Sequence, residues 1–357
     1  MTFKWTFSLS LLAVSLNSCS SYQPNISVAC EENDAGTSVV KWETFPEMNG
    51  SIKVYASTSP TNIPIDEPIA TVSISEQRLS IAANNASMQR MYYMMVFNDE
   101  YPVATASRNV IVPGTQNFRD IGGYATGSRN EIGWGKVYRS AQLDSISAHG
   151  YQVLKGLGIK TIIDLRDHRE YGAKSPRLKG FKFVNAPLYT DHIYDRLKRI
   201  HNGETPIDSI QIILQKINLE LIDGKNKEIK KVFQTLLDPH NYPIVITCST
   251  GKMRTGFITA LLLNLLGVNY EMVVQDYELS NNYFNITRSC NYAFTLSEST
   301  QEAITALYTS QGDCLDGAFE KIQRQYGSVE NYLCKKVGLS QKDVKQLKNI
   351  LLTSEDR

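Results

Sequence analysis

The chain of 357 residues carries 37 lysines and arginines against 36 aspartates and glutamates, and 42% of its residues are apolar. This composition excludes an intrinsically disordered chain, which has few apolar residues and a high net charge. A net charge of +1 also argues against a broad surface for nucleic acid or anionic membranes, because such surfaces need a basic excess. The length favours two domains.

The first 19 residues predict an export signal. Lys4 provides a positive charge, and the apolar run at 5–16 has the length of a signal peptide. The sequence L-N-S-C at 16–19 resembles the lipobox of bacterial lipoproteins, which implies that Cys19 is acylated and becomes the mature N-terminus. Residues 20–25 would then be a tether, and we expect an exported protein anchored by lipid to a bacterial cell membrane. Ordinary secretion is the alternative.

Residues 26–113 predict a small all-β sandwich domain. Short β-rich runs separated by turn signals fit this architecture, and Asn49-Gly50 is typical of a hairpin turn. The strand around Trp42 and the later tyrosine-rich strand resemble a fibronectin type III module. Nothing in this region indicates catalysis, so we interpret it as a spacer or docking domain. The predicted strands are 39–43, 51–55, 70–74, 91–97 and 108–112.

Residues 114–357 predict an α/β domain, in which helices flank a central sheet. Strands are predicted at 159–165, 181–185 and 243–247. Two helices are predicted between the last two strands, the first with Asp208 as its N-cap. The C-terminal third is predicted as helical, with capping boxes beginning at Ser299 and Ser340. We interpret 192–240 as a helical insertion that could cover the site; a plain peripheral hairpin is the alternative.

The segment around Cys248 carries the clearest chemical signal. The strand at 243–247 runs into the loop C-S-T-G-K-M-R at 248–254, and an apolar helix is predicted over 257–266. A cysteine before a helix N-terminus faces the positive end of the helix dipole and free backbone N–H groups, which favour the thiolate. The same N–H groups form an anion site, and Arg254 can fold back to bind two phosphate oxygens. These features predict phosphoryl transfer through a cysteinyl-phosphate.

This loop resembles the Cys-x5-Arg-Thr signature of protein tyrosine phosphatases. The string C-S-T-G-K-M-R-T-G is similar to a Cys-x-x-Gly-Lys-x-Arg-Thr-Gly subgroup that includes secreted bacterial phosphatases with dual-specificity and phosphoinositide activity. The resemblance covers about residues 114–352. The other matching segments are N-F-R-D-I-G-G-Y at 117–124, G-K-V-Y-R-S-A-Q-L at 135–143, D-L-R at 164–166, D-Y-E-L-S-N at 276–281, and Y-L with G-L at 332–333 and 338–339.

The resemblance implies roles for the residues of the loop. Cys248 would be the nucleophile, and Arg254 would bind the phosphate in the ground and transition states. Thr255 would donate a hydrogen bond to the departing thiolate. Lys252 would add positive charge for multiply phosphorylated or inositol substrates, unless it is a solvated surface charge. The phosphate oxygens would be held by the backbone N–H groups of Ser249, Thr250, Gly251, Lys252, Met253 and Arg254.

Two departures from the family pattern leave the proton donor open. Thr247 replaces a histidine that usually precedes the cysteine, and Met253 stands where several subgroup members have an aspartate proposed as the general acid. The leaving group still needs a proton. Asp191 and Asp164 both align with acidic positions of related phosphatases, and we weigh them equally, with Asp167 as a third choice. The alternative for each is a structural carboxylate.

The cysteines and histidines do not have the spacing of metal ligands. Export would permit one or two disulfide bridges among Cys30, Cys290, Cys314 and Cys334, whose pairing cannot be read from spacing. The five histidines are scattered in polar contexts and are expected at the surface, with His168 and His192 as candidates for the mouth of a pocket. We therefore expect no metal and no cofactor.

We expect the arginines of the matching segments to lie with the cations of the loop around one anion site. A net charge near zero does not reveal such a local cluster of positive charge. These cations are Arg119, Arg139, Arg166, Lys252 and Arg254.

The sequence thus predicts a metal-independent phosphatase for phosphotyrosine, phosphoserine, phosphothreonine or phosphoinositides. A catalytically impaired, phosphatase-like binding protein is the alternative, and a sulfur-transfer or arsenate-reducing enzyme is a distant third. The expected partners are a phosphorylated protein or a phosphoinositide, with no nucleic acid, and a membrane through the N-terminal lipid only.

Overall fold

A computed structural model of the chain describes residues 23–33, 36–82, 89–127, 130–171, 178–188 and 191–354. The predicted signal peptide and Cys19 lie outside these residues. None of the helices in the described ranges is long and apolar enough to cross a membrane.

Seven strands near the N-terminus form two antiparallel sheets, which we call the N-terminal sheet pair. One sheet has the order β1-β2-β5 and the other the order β4-β3-β6-β7. Apolar side chains alternate along these strands and meet between the sheets around Trp42, whose indole nitrogen donates to the Ile74 carbonyl at 2.7 Å. The strands are β1 (Asn25–Glu32), β2 (Ser38–Phe45), β3 (Ser51–Ser57), β4 (Ala70–Ser73), β5 (Arg78–Ile81), β6 (Tyr92–Phe97) and β7 (Tyr101–Ala106).

The structure corrects the sequence prediction at four of these places. Strands β1, β5 and β7 were not predicted. β7 contains Pro102, which lacks a backbone N–H and is tolerated because β7 is at the edge of its sheet. The predicted strand at 108–112 is wrong, because this segment forms a single bridge between Asn109 and Arg119, while Val110 and Val112 pack into a small core.

The C-terminal region is built on a five-stranded sheet of order β12-β11-β13-β10-β8. All neighbours are parallel except β8, which runs antiparallel to β10. A separate antiparallel pair joins β14 to β9. The strands are β8 (Arg119–Asp120), β9 (Asn130–Ile132), β10 (Val137–Ser140), β11 (Thr161–Asp164), β12 (Lys182–Asn185), β13 (Ile244–Thr247) and β14 (Leu352–Ser354).

Helices cover this sheet and fill most of the chain beyond β13. Their bounds are α1 (Ala148–Gly156), α2 (His168–Tyr171), α3 (Asp191–His201), α4 (Ile210–Gly224), α5 (Asn226–Leu236), α6 (Met253–Leu265), α7 (Tyr270–Glu278), α8 (Ser280–Tyr283), α9 (Ile286–Ser289), α10 (Glu298–Tyr308), α11 (Asp313–Tyr326), α12 (Val329–Tyr332) and α13 (Gln341–Leu351). A π-helical turn, Leu333–Val337, follows α12.

Two predicted caps are wrong. Asp208 lies inside a 3-10 turn, Ile207–Ser209, and α4 begins only after that turn. The side chain that caps α10 is Ser297, which accepts from the Thr300 backbone, rather than Ser299. The capping box beginning at Ser340 is confirmed.

The centre of the sheet positions the site. Every residue of β13 is buried, and α6, which follows it, is buried on nearly all sides. A helix that is apolar all round can only lie inside a core, so the β13-loop-α6 unit is held from both ends. The loop between them therefore opens at the carboxyl edge of the parallel strands, where α/β folds bind ligands.

Candidate active site

Cys248 follows directly after β13 and is 1% exposed. The loop of residues 249–252 then leads into α6 at Met253. Among the described residues, none accepts a hydrogen bond from the backbone N–H groups of 249–254. Unbonded N–H groups at a helix N-terminus attract an anion.

The carbonyl groups of the loop accept hydrogen bonds from side chains outside the loop. Asn117, which has a positive φ of 56°, donates its side-chain amide to the carbonyls of Thr250 and Gly251, both at 3.1 Å. Arg139 donates to the Gly251 carbonyl at 2.9 Å. Gly251 has a φ of 67°, and a Cβ there would lie 2.5 Å from the Ser140 carbonyl oxygen. The loop thus turns its carbonyls outward and leaves its N–H groups inward.

A buried ion cluster supports the loop from behind. The Asp276 carboxylate accepts from Arg139 at 2.5 Å and from Arg119 at 3.4 Å, and all three side chains are at most 1% exposed. Burial alone would raise the pKa of Asp276, but the charges of the two arginines lower it to about 2. Burial and the neighbouring Arg139 lower the pKa of Arg119 to about 10. The cluster is therefore ionised at neutral pH and fixes Arg139 against the loop.

Arg254, at the start of α6, is paired with a carboxylate that the sequence analysis did not identify. Its two terminal nitrogens donate to Glu170 on α2 at 2.5 and 2.7 Å, and the Ser249 hydroxyl donates to the same carboxylate at 2.5 Å. Burial raises the pKa of Glu170, but the bonds and charge of Arg254 outweigh it, so the pKa lies below its usual value. Glu170 is therefore ionised and fixes the orientation of the guanidinium group.

A cavity of about 400 Å³ opens over Cys248. Its floor is the loop, and the remaining walls come from α3, α4, α7, α10 and the turn after α10. The lining residues beyond the loop are Glu170, Leu197, Lys198, His201, Leu214, Tyr277, Leu307, Tyr308, Thr309 and Ser310.

Lys252 lines the same cavity and is 5% exposed. Its ammonium group lies 3.4 Å from the Asn281 side-chain oxygen and 5.4 Å from the centre of the Phe284 ring. Burial, together with the charges of Arg119 and Arg139, lowers the pKa of Lys252 to about 8. Lys252 is thus a buried cation rather than the solvated surface charge that the sequence left open.

The comparisons with known proteins agree with this geometry. The family model described as "Tyrosine phosphatase family" matches residues 110–353. The chain belongs to the tyrosine phosphatase family. It is 28% identical over 279 residues to the triple specificity protein phosphatase PtpB of Mycobacterium tuberculosis, covering 68% of this chain and 98% of that protein. It is also 26% identical over 222 residues to a tyrosine-protein phosphatase of Nostoc commune, covering 59% of this chain and 72% of that protein.

Among solved structures, the core catalytic domain of the PP-IP phosphatase SIW14 from S. cerevisiae is similar at 18% identity, over 63% of this chain and 98% of that chain. The TM-score is 0.29, a value too low to carry an argument. Family membership and the sequence relatives establish a protein phosphatase, and hence a hydrolase.

Three other predicted residues of the phosphatase site lie in different surroundings. The Thr255 hydroxyl is buried and has no hydrogen-bond partner among the described residues, and its bond to the departing thiolate stays a prediction. Asp164 is fully buried, forms an ion pair with Arg166 at 2.8 Å, and is not among the residues that line the cavity. Asp191 is the first residue of α3, and its side chain lies outside the described part of the structure.

Three expectations for the phosphatase need correction. The expected cluster of five cations around one anion site is wrong, because Arg119, Arg139 and Arg166 are each paired with a buried carboxylate and do not line the cavity. The histidines are not all at the surface, since the half-buried His201 lines the cavity. No bridge joins the described cysteines, because each is a free thiol: Cys30, Cys248, Cys290, Cys314 and Cys334.

Glu170 belongs to none of the motifs on which the sequence predictions rest. It lies on the one-turn helix α2, three residues after Asp167, whose backbone N–H donates to it at 3.0 Å. A carboxylate shortly after the D-L-R segment was the available clue, because that segment ends a strand beside the loop.

Proposed function

We propose that the chain hydrolyses phosphomonoesters of tyrosine, serine, threonine or inositol lipids through a cysteinyl-phosphate intermediate. The observation that carries the proposal is the position of Cys248 beneath the unbonded N–H groups of residues 249–254, beside Arg254. The N–H groups would bind the equatorial oxygens of the phosphoryl group, and Arg254 would bind two of them in the transition state. The thiolate would attack phosphorus in line with the leaving oxygen.

The second step returns the enzyme to its starting state. Water would attack phosphorus and release phosphate, and the Cys248 thiolate would be the leaving group. The Thr255 hydroxyl, which has no hydrogen-bond partner among the described residues, is buried directly after the loop and would donate to the departing sulfur. This hydrogen bond is the role that we propose for Thr255.

Asp191 is our proposed proton donor to the leaving oxygen. It begins α3, a helix whose later residues Leu197, Lys198 and His201 line the cavity, so this element reaches the site. Asp164 is a weaker candidate, because both of its oxygens accept bonds from Arg166. In the comparison of Asp191→Asn with Asp164→Asn, loss of the alkaline limb of the kcat profile, where a general acid gives up its proton, in Asp191→Asn alone would support the assignment. Unchanged turnover of Asp191→Asn at every pH would remove it.

The direct test is hydrolysis of p-nitrophenyl phosphate under reducing conditions between pH 5 and 8. We expect turnover that vanadate inhibits, that chelators do not affect, and that Cys248→Ser abolishes. Cys290→Ser is the matched control, because Cys290 is also a buried free thiol but does not line the cavity. A wild-type protein that shows no turnover on this ester, on phosphotyrosine peptides or on phosphoinositides would refute the proposal.

A phosphate-binding protein without turnover is the second candidate. It is favoured by one observation: Glu170 is the only carboxylate among the described residues that line the cavity, and it is already paired with Arg254. Binding of phosphopeptides or inositol phosphates without hydrolysis would support this candidate and exclude the first.

For the rest of the chain we propose a lipoprotein with a fibronectin type III-like domain. The signal peptide would be removed, and Cys19 would be acylated as the mature N-terminus. The N-terminal sheet pair would form the domain at about 26–113. The proposal is supported by the lipobox-like sequence and by the two packed antiparallel sheets. Mass spectrometry of the mature N-terminus tests it, and an unacylated terminus beyond Cys19 would refute the anchor.

A further inference from the structure

A buried arginine joins the N-terminal sheet pair to the C-terminal region. Arg90 precedes β6, and its side chain is 5% exposed. One terminal nitrogen donates to the Asp120 carboxylate at 2.6 Å and to the Tyr138 hydroxyl at 2.9 Å, and the other donates to the Ser107 carbonyl at 2.8 Å. The Tyr92 hydroxyl is 3.2 Å from the first nitrogen. These bonds cross from β6 to the strands β8 and β10.

The strands that Arg90 reaches also support the phosphate loop. In the antiparallel ladder of β8 and β10, Asp120 pairs with Tyr138 and Arg119 pairs with Arg139. Successive side chains of a strand point to opposite faces, so Asp120 and Tyr138 share one face while the two arginines share the other. Arg90 lies on the first face. The second face carries the arginines that hold Asp276 and the carbonyl of Gly251.

Asp120 is the junction of this arrangement. Besides Arg90, its carboxylate accepts from the backbone N–H groups of Gly122 at 2.8 Å and Gly135 at 2.7 Å. Arg108, which follows β7, donates to the backbone carbonyl of Asp120 at 3.0 Å. The short β8 has only two residues, and these contacts add to its ladder with β10 and to the bond from the Ile121 N–H to the Val137 carbonyl.

We infer that Arg90 is a positioning residue of the active site, acting through Asp120 and the β8-β10 ladder on the loop that follows Cys248. The N-terminal sheet pair is then part of the scaffold of the phosphate site, rather than only a spacer or docking arm. The inference rests on the proposed phosphatase function for its kinetic readout. Its binding and exchange readouts do not depend on turnover.

The test compares the full chain with Arg90→Met, Arg90→Lys, Asp120→Asn and the double variant Arg90→Met/Asp120→Asn. Arg78→Met is the control, because Arg78 lies on β5 of the same sheet pair and is exposed. The measurements are kcat and KM for p-nitrophenyl phosphate, the dissociation constant of vanadate, and amide hydrogen exchange of a peptide covering 244–256. All are made well below the thermal unfolding transition of each variant.

We expect Arg90→Met to lower kcat and weaken vanadate binding by about 2- to 30-fold, the range found for residues that act through a packed network. Exchange at 244–256 should become faster, and Arg90→Lys should recover part of the loss by keeping a charge near Asp120. The double variant should be no worse than the poorer single variant, because both changes break the same connection. Arg78→Met should match the wild type.

A folded Arg90→Met variant with wild-type kcat, vanadate affinity and exchange at 244–256 would overturn the inference, even if its unfolding temperature falls. Fully additive effects of Arg90→Met and Asp120→Asn would also overturn it. If Arg90→Met does not fold, Arg90→Lys and Asp120→Asn decide by the same three readouts. A wild-type chain without turnover would refute the proposed function alone, because vanadate affinity and exchange would still test the role of Arg90.

Discussion

Replacing Glu170 with glutamine tests how the arginine of the phosphate loop is held. The carboxylate forms two charge-assisted hydrogen bonds with Arg254, at 2.5 and 2.7 Å, where the side chains are only 14% and 9% exposed. Such bonds contribute about 1.5–3 kcal/mol each. Glutamine retains one acceptor oxygen and points an amide toward a guanidinium N–H, so one of the two bonds is lost. The variant is therefore expected to lose about 1.5–3 kcal/mol of the free energy that holds the Arg254 guanidinium group in this orientation.

If that orientation is needed in the transition state, kcat/KM falls by about 10- to 150-fold in Glu170→Gln. The assay is hydrolysis of p-nitrophenyl phosphate with separate kcat and KM, together with the inhibition constant of inorganic phosphate. Glu204→Gln is the control, since Glu204 is about half exposed and does not line the cavity. The reasoning is refuted if Glu170→Gln binds phosphate more tightly and turns over at least as fast as the wild type, because Glu170 would then compete with the substrate for Arg254.

Three further predictions follow from the loop and its support. Because Lys252 has a pKa near 8, kcat/KM should fall as the pH rises through about 8, and Lys252→Met should lack that limb of the profile while retaining a lower activity. Gly251→Ala should lower kcat/KM by more than about 100-fold, because a Cβ at this positive φ meets the Ser140 carbonyl and displaces the loop. The control Gly317→Ala should be active, because the space around Gly317 is open. The ion pairs of Asp276 should stabilise the fold fully at pH values above its usual pKa of 3.8, and this stabilisation should be lost as the pH falls through about 2. Asp276→Asn should lower the free energy of unfolding at pH 7 by about 3–5 kcal/mol, as measured in a denaturant titration.

The sequence predicted the position of the loop because its signal is local. An apolar strand, a cysteine, small residues and an arginine within one short segment leave few alternatives; β13 and Cys248 lie where the pattern placed them, and α6 begins at Met253 rather than at the predicted Phe257. Glu170 could not be found in this way. Its contact with Arg254 joins residues 84 positions apart and depends on how α2 leaves the end of β11.

Local sequence patterns predicted the wrong helix cap where two nearby polar residues lie at the start of the same helix. Asp208 and Ser209 both precede α4, and the chain forms a 3-10 turn that leaves neither as a side-chain cap. Ser297 directly precedes α10 and caps it, whereas Ser299 lies inside the helix as its second residue. The same limit applies to the cavity wall, since His201 and Tyr308 are brought within 3.4 Å of each other only by tertiary packing.

The balanced net charge of the chain has a counterpart inside the phosphatase fold. Arg119 and Arg139 share Asp276, and Arg166 is held by Asp164 and the partly exposed Asp144, so the charges of these three arginines are matched by carboxylates. Their positive charge therefore does not explain why a phosphate would bind here. The explanation lies in the backbone: Arg139 and Asn117 bond the loop carbonyls, and the N–H groups of residues 249–254, which no described residue bonds, are left for a ligand. A site built in this way depends on the rigidity of its supports, which is why a single buried contact from the N-terminal sheet pair can affect it.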